Sequence, residues 1–341
     1  MKAAVIGATG AVGQRFLSLL AGHPTFKVSE LVASERSAGK RFGDACTWVL
    51  DEPMPKGLAD REVRLSTDDL DADVVFSAVP GGLAGPLETE LAKRGYKVFS
   101  NAKDHRMHPK VPLLVTEINP EHASLVKQQG TDGFIVTNPN CTTIVLCMAL
   151  KPLHDAFGVT DVSAVSMQAL SGAGYPGVPS LDSQANVVPY IGGEEEKVET
   201  ETLKILGALR NGTVTPAGLR VSATCTRVPV IEGHSIAVSL KLGRSAAPEE
   251  VVAAWEGWRG KPQQLGLPSA PRQPVHYLRE ANRPQPRRDW GREGGMAVSV
   301  GRLRKDPILG YKFFCSGSNT VRGAAGASIL NAELFQAEGL L

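Results

Sequence analysis

The sequence predicts an α/β protein in two parts. A parallel sheet with helices on both faces comes first, followed by an α+β part on a mainly antiparallel sheet. Three observations carry this. Short β-rich runs alternate with helix-like segments over residues 1–137, the pattern of repeated βα units. A glycine run, Gly7-Ala8-Thr9-Gly10-Ala11-Val12-Gly13, falls between the first strand and the first helix. Beyond it, from residue 138, the strand candidates lengthen and the regular alternation stops.

The elements follow in order. Lys2–Ile6 is a short apolar run ahead of the glycines, and 14–21 reads as a helix. Lys27–Ala33 and Asp73–Val79 are strand candidates; Val74, Val75 and Phe76 bunch as in a buried parallel strand. A helix over 87–94 and a strand over 96–100 come next, and 111–115, 121–129 and 133–137 continue the alternation. In the second part, strands are expected over 159–170, 220–230, 235–243, 296–304 and 308–315. Helices are expected over 142–157, 194–210 and 248–259. Pro262–Arg288, rich in Pro, Arg and Gln, reads as a surface excursion. A long helix over 319–338 is expected to return to the first part. The divisions are 1–137 for dinucleotide binding, 138–317 for catalysis and dimerisation, and 318–341 for the returning helix.

Composition excludes several classes. The 341 residues suit two domains, and 42% hydrophobic with 21% charged residues suits a packed core. Thirty-seven basic against 35 acidic residues leave +2, too balanced for a general nucleic-acid or membrane-surface binder. No apolar run is long enough for a membrane span, and the N-terminus lacks a secretory pattern. The cysteines are Cys46, Cys141, Cys147, Cys225 and Cys315, an odd set with no CxxC. That argues against a disulfide framework or zinc, and for the cytoplasm.

The glycine run points to a dinucleotide. Glycines there permit a tight turn and let a pyrophosphate approach the backbone N–H groups at a helix N-terminus, as in a Rossmann-type fold. The spacing is Gly7-x-x-Gly10-x-x-Gly13, so position in the chain carries more weight than pattern. After the second strand stand Ser34, Glu35, Arg36, Ser37 and Lys40. A guanidinium and two hydroxyls suit the 2′-phosphate of NADP, with Glu35 an awkward neighbour.

Asn138-Pro139-Asn140-Cys141-Thr142-Thr143 joins the last strand of the first part to an apolar helix. Cys141 then lies at a helix N-terminus, where partial positive charge lowers a thiol pKa. Asn140 and the first-turn N–H groups are candidates to stabilise an oxyanion. The other cysteines read as apolar filler. His234 follows a glycine at a strand start and offers a proton-transfer partner; Arg227, seven residues earlier, offers a fork for a carboxylate.

Together these motifs resemble the aspartate-semialdehyde dehydrogenase family, in its archaeal and fungal branch. The resemblance rests on GATGAVG at 7–13, ASERSAGK at 33–40, SNAKDHR at 100–106, VPLLVTEIN at 111–119 and NPNCTT at 138–143. It continues through QALSGAGYPG at 168–177, EEEKVETETLKILG at 194–207, RVPVIEGHS at 227–235 and NTVRGAAGAS at 319–328. One departure is Thr116, where the family often carries Pro.

The resemblance implies NADP-dependent reductive dephosphorylation of L-4-aspartyl phosphate to L-aspartate 4-semialdehyde, in the aspartate pathway to lysine (through diaminopimelate), threonine and methionine. It implies Cys141 as nucleophile, His234 as acid/base and Gln168 as a positioner of the thiol. Arg227 and Glu194 match the ligands of the substrate carboxylate and ammonium. Arg106, Asn140 and Lys197 match the phosphate set. Gly7, Thr9, Gly10, Val12, Ser34, Arg36, Ser37, Gly172 and Asn319 match cofactor contacts. A homodimer or homotetramer is implied, with no nucleic-acid or membrane partner. The residues alone leave bland alternatives open: a solvated Glu194–Lys197 pair, a surface Arg106, an exposed turn histidine at 234. Malonyl-CoA reductase and N-acetylglutamyl-phosphate reductase share the cysteine–NADPH chemistry and stand as alternatives, as does a non-catalytic NADP sensor.

Overall fold

Runs of buried aliphatic residues set the first sheet. The computed structural model describes residues 1–341. Its first sheet contains β1 (Lys2–Ile6), β2 (Lys27–Val32), β3 (Val63–Arg64), β4 (Val74–Ser77), β5 (Lys97–Ser100) and β6 (Phe134–Thr137). Their order is β3-β2-β1-β4-β5-β6, and every pairing is parallel. All of β4 and β6 is buried, as expected for strands covered on both faces. Helix α1 (Ala11–Leu20) buries Phe16, Leu17 and Leu20 against this sheet, and α2 (Ala84–Lys93) buries Leu91 and Ala92 in the apolar cluster of its other face. The order reverses between β1 and β4, the crevice where open α/β sheets bind ligands.

Helix α3 (Cys141–Phe157) leaves β6 and is apolar nearly all round, so it lies in the core of the second part. It packs against a second sheet. That sheet is fed by β7 (Val159–Gln168), then, after α4 (Glu194–Ile205) and the hairpin of β8 (Ala208–Arg210) with β9 (Thr213–Thr215), by β10 (Arg220–Arg227) and β11 (His234–Leu242). After α5 (Pro248–Gly257) come β12 (Val275–Leu278), β13 (Val298–Asp306) and β14 (Gly310–Gly317). The order is β10-β7-β11-β14-β13-β12, with antiparallel pairings in the centre and a parallel pairing at each edge. Trp255 of α5 stacks on Tyr277 and donates from Nε1 to the Ala149 carbonyl at 2.8 Å.

The chain then returns to the first sheet. A π-helical turn, Val321–Ala325, leads into α6 (Gly326–Ala337). Phe335 of α6 packs edge-on to Phe99 and beside Phe134, with centroids 5.4 and 5.2 Å away. Arg322 in the turn donates to both oxygens of Glu117 at 2.6 and 3.0 Å, with both side chains fully buried. Thr116 donates its hydroxyl to Asn331 of α6, a bond that Pro at this position would lack. No helix is long and apolar enough to cross a membrane.

Several expected elements differ. Residues 111–115 form no strand beyond a single bridge from Leu113 to Thr137. The Asn119 side chain takes the Val115 N–H and the Leu113 carbonyl instead. Residues 120–128 form a 3₁₀ helix. The helix from Glu194 stops at Ile205, because the chain turns at Gly207 into the hairpin. The 262–288 excursion contains β12, a sheet-edge strand too short to show above its proline-rich flanks.

Candidate active site

Strand register brings three unlike side chains to one end of the second sheet. β10 runs parallel to β7 with Arg227 opposite Gln168. β11 runs antiparallel to β7 with Ser235 opposite Met167, so His234 lies beside the same end. All three are at least nine-tenths buried, with exposures of 6% for Arg227, 1% for Gln168 and 0% for His234.

Cys141 comes to this point from the first residue of α3. Asn140 caps the helix: its Oδ1 accepts from the N–H groups of Thr142 and Thr143 at 2.9 and 3.2 Å. The cap thus engages two of the first-turn N–H groups expected to face an oxyanion. Cys141 Sγ lies 3.1 Å from His234 Nε2. The Ala169 N–H donates to His234 Nδ1 at 3.1 Å, which puts the neutral ring's proton on Nε2, facing the sulfur. Burial, reinforced by Arg227, lowers His234 to about 3, so the ring is neutral.

The thiol also departs from expectation. Cys141 keeps some solvent contact, but burial pushes it up to about 12, helped by Glu194 and opposed by Arg106, Arg227 and the Thr142 N–H. The helix N-terminus is present as predicted, yet desolvation outweighs it in the free site.

Glu194 opens α4 and is 8% exposed. Its carboxylate accepts from Lys197 Nζ at 2.7 Å, Asn140 Nδ2 at 2.8 Å and Gln168 Nε2 at 3.3 Å. Burial pushes this carboxyl up, but these three donors outweigh it and hold the group below its ordinary range. A solvated surface pair is therefore excluded. Arg106 is 7% exposed and donates to Glu201 at 2.9 Å and to the Asn101 carbonyl at 2.7 Å. Arg227 donates to the Ala169 carbonyl at 2.8 Å.

Two glycines leave room for this arrangement. A Cβ on Gly172 would stand 2.8 Å from both the Arg227 guanidinium and the His234 ring. Gly172 therefore lies beside the cysteine centre. A Cβ on Gly323 would stand 2.6 Å from Cys141 Cβ. Gly323 was missed; its only sequence signal is the small-residue run that opens the last helix. Glu201 was missed too, because a glutamate in a charge-rich helix reads as solvated. Its signal is a seven-residue spacing from Glu194, which repeats one helix face.

The glycine turn follows β1 at the crevice between β1 and β4. Gly7 has φ +77°, and a Cβ there would stand 2.7 Å from the Ala78 carbonyl oxygen, so the turn admits only glycine. Gly10 caps α1 with no side-chain cap, which leaves the first turn around Ala11 and Val12 open to an anion. Gln14, also missed, braces the turn by donating to the Thr9 carbonyl at 3.0 Å. Ser34 and Arg36 are exposed just after β2, with Ser37 beside them. This set suits a phosphorylated dinucleotide. Val321–Ala325 packs against both α1 and α3 and so joins the two centres. Asn319, just before it, accepts from the Gly233 N–H at 2.9 Å and donates to Ser171 Oγ at 2.8 Å.

Comparison with known proteins agrees with this layout. Residues 2–126 match the family model described as semialdehyde dehydrogenase, NAD binding domain, and residues 150–322 match semialdehyde dehydrogenase, dimerisation domain. The chain is 52% identical over 340 residues to aspartate-semialdehyde dehydrogenase of Methanothermobacter thermautotrophicus, covering 97% of each chain. It is 45% identical over 354 residues to the Schizosaccharomyces pombe enzyme of that name, covering 100% of this chain and 99% of the other. The crystal structure of Candida albicans aspartate semialdehyde dehydrogenase with NADP is similar at a TM-score of 0.93 and 41% identity, covering 100% of this chain and 99% of that one.

Proposed function

The chain belongs to the aspartate-semialdehyde dehydrogenase family, an NADP-linked oxidoreductase of amino-acid biosynthesis, and from that premise we propose how its own residues carry the reaction. Cys141 is the nucleophile and His234 its acid/base partner. The observation that carries this is the 3.1 Å contact between Sγ and Nε2 at the start of α3. Arg227 binds the substrate carboxylate and Glu194 the ammonium, while Arg106, Asn140 and Lys197 receive the phosphate, Asn140 from its place as helix cap.

In the reductive direction Cys141 gives up its proton to the phosphate of the entering L-4-aspartyl phosphate, which carries it off as the leaving group. Arg106, Arg227 and the Thr142 N–H favour the thiolate. Sulfur attacks the acyl carbon, the C–O bond to phosphate breaks with its electron pair, and a thioester and inorganic phosphate result. NADPH, when bound, supplies the hydride. His234 donates its Nε2 proton to the thiohemiacetal oxygen and takes it back as the C–S bond breaks, releasing the semialdehyde and the thiolate. Gln168 and Glu194 hold the pocket in register through their shared hydrogen bond.

The dinucleotide is held by Gly7, Thr9, Gly10 and Val12 at the pyrophosphate, by Ser34, Arg36 and Ser37 at the 2′-phosphate, and by Gly172 and Asn319 near the nicotinamide. The chain divides into residues 1–137 for dinucleotide binding, 138–317 for catalysis and dimerisation, and 318–341 as the returning helix. It works as a homodimer or homotetramer in the cytoplasm, a compartment suited to five free cysteines. The test is NADP⁺ reduction by aspartate semialdehyde with and without inorganic phosphate. Phosphate-dependent turnover is expected. Turnover with malonate semialdehyde and CoA instead would overturn the substrate.

A further inference from the structure

Resting on the phosphate role of Arg106 given above, we propose that Glu201 is a positioning residue that ties the phosphate-binding guanidinium to the peptide preceding the catalytic cysteine. The repeat Glu194-x-x-Lys197 and Glu201-x-x-Lys204 places two acid–base pairs two turns apart on one face of α4. The first pair faces the pocket. The second is buried, with 2% of Glu201 and 7% of Lys204 exposed.

Each oxygen of Glu201 has its own task. Oε1 accepts from Arg106 at 2.9 Å, and Oε2 accepts from the Asn140 main-chain N–H at 2.7 Å. Asn140 is thus gripped twice from α4, by Glu194 at its side-chain amide and by Glu201 at its backbone. Lys204 fixes the other end of the link: its ammonium donates to the carbonyls of Arg106, His108 and Val111 at 2.6, 2.9 and 3.0 Å. So one helix holds Arg106 by side chain and by backbone. The Arg106 Nε is buried and has no partner, a donor still available to an anion after Glu201 and Asn101 have taken theirs. One rigid carboxylate therefore sets the place of the phosphate cation relative to the residue next to the sulfur.

A glutamine at 201 has a single acceptor and must turn an NH₂ toward one of two donors, so one link breaks. In the oxidative assay, Glu201→Gln is expected to raise the KM for inorganic phosphate about tenfold or more, the effect of losing one charge-assisted bond. The KM for NADP⁺ is expected to stay near the parent, while the melting temperature falls because a buried charge loses its partner. Glu201→Asp keeps the charge but loses a methylene of reach, and is expected to recover part of the phosphate affinity. An unchanged or lowered phosphate KM in Glu201→Gln overturns the proposal, since Glu201 would then be idle or a mere competitor for Arg106. A fall in melting temperature without a phosphate effect, or failure of both variants to fold, also overturns it in favour of a structural role. Arg106→Ala separates the premise: if it leaves the phosphate KM unchanged, the phosphate assignment itself fails. If it raises that KM while Glu201→Gln does not, only the positioning role fails.

Discussion

The glycine turn and the cysteine centre are made in opposite ways. The turn is contiguous: strand, Gly7–Gly13 and helix follow one another, and the backbone itself supplies the N–H groups. The cysteine centre takes Arg106 from a loop, Cys141 from a helix start, Gln168, Arg227 and His234 from three strand ends and Glu194 from another helix. A contiguous site keeps its geometry if its own turn folds. A dispersed site depends on strand register, and a one-residue slip would point Arg227 or His234 to the opposite face.

That contrast is testable, first where the effect is largest. Cys141→Ala is expected to cut turnover by roughly a thousandfold or more, because a chemical step is removed. NADPH affinity, read by fluorescence titration, is expected to remain; loss of both would mean that the two centres fold as one. Next, Arg227→Lys keeps the charge but loses the fork, and the KM for the semialdehyde should rise by about tenfold or more with the KM for NADP⁺ unchanged. From the other side, Arg36→Ala should raise the KM for NADP⁺ by roughly tenfold while sparing the semialdehyde. Equal effects on both substrates would erase the division.

The smallest effect concerns pH. The folded His234 titrates at about 3, below the 6.5 of an ordinary imidazole. Between those values the unfolded chain binds more protons, so the stability that His234 contributes is full above pH 6.5 and is lost as the pH falls toward 3. His234→Asn should flatten the fall in melting temperature between pH 6.5 and 4. An unchanged slope would show that other groups carry it.

The same contrast explains what was legible in the sequence. Lys2–Ile6, the glycine turn and Val74–Phe76 announce themselves because apolar period and turn chemistry are local. Cys141 was legible as a helix start but not as a raised thiol, because desolvation is supplied by residues distant in sequence. Arg227 and His234 needed the resemblance, since only the pairing of β7 with β10 and β11 brings them together. Glu201 escaped altogether: nothing near it in sequence says that its oxygens meet Arg106 and Asn140. The edge strand β12 escaped because a four-residue strand directly after Pro274 carries too little pattern.

The last helix has a consequence for biosynthesis of the chain itself. Phe335 completes the aromatic cluster of the first sheet, and Gly323, just ahead of that helix, lies against Cys141 Cβ. The ribosome makes these residues after every strand of both sheets. The amino-terminal sheet must therefore wait, part-dressed, until they emerge, and Cys141 acquires its backing only then.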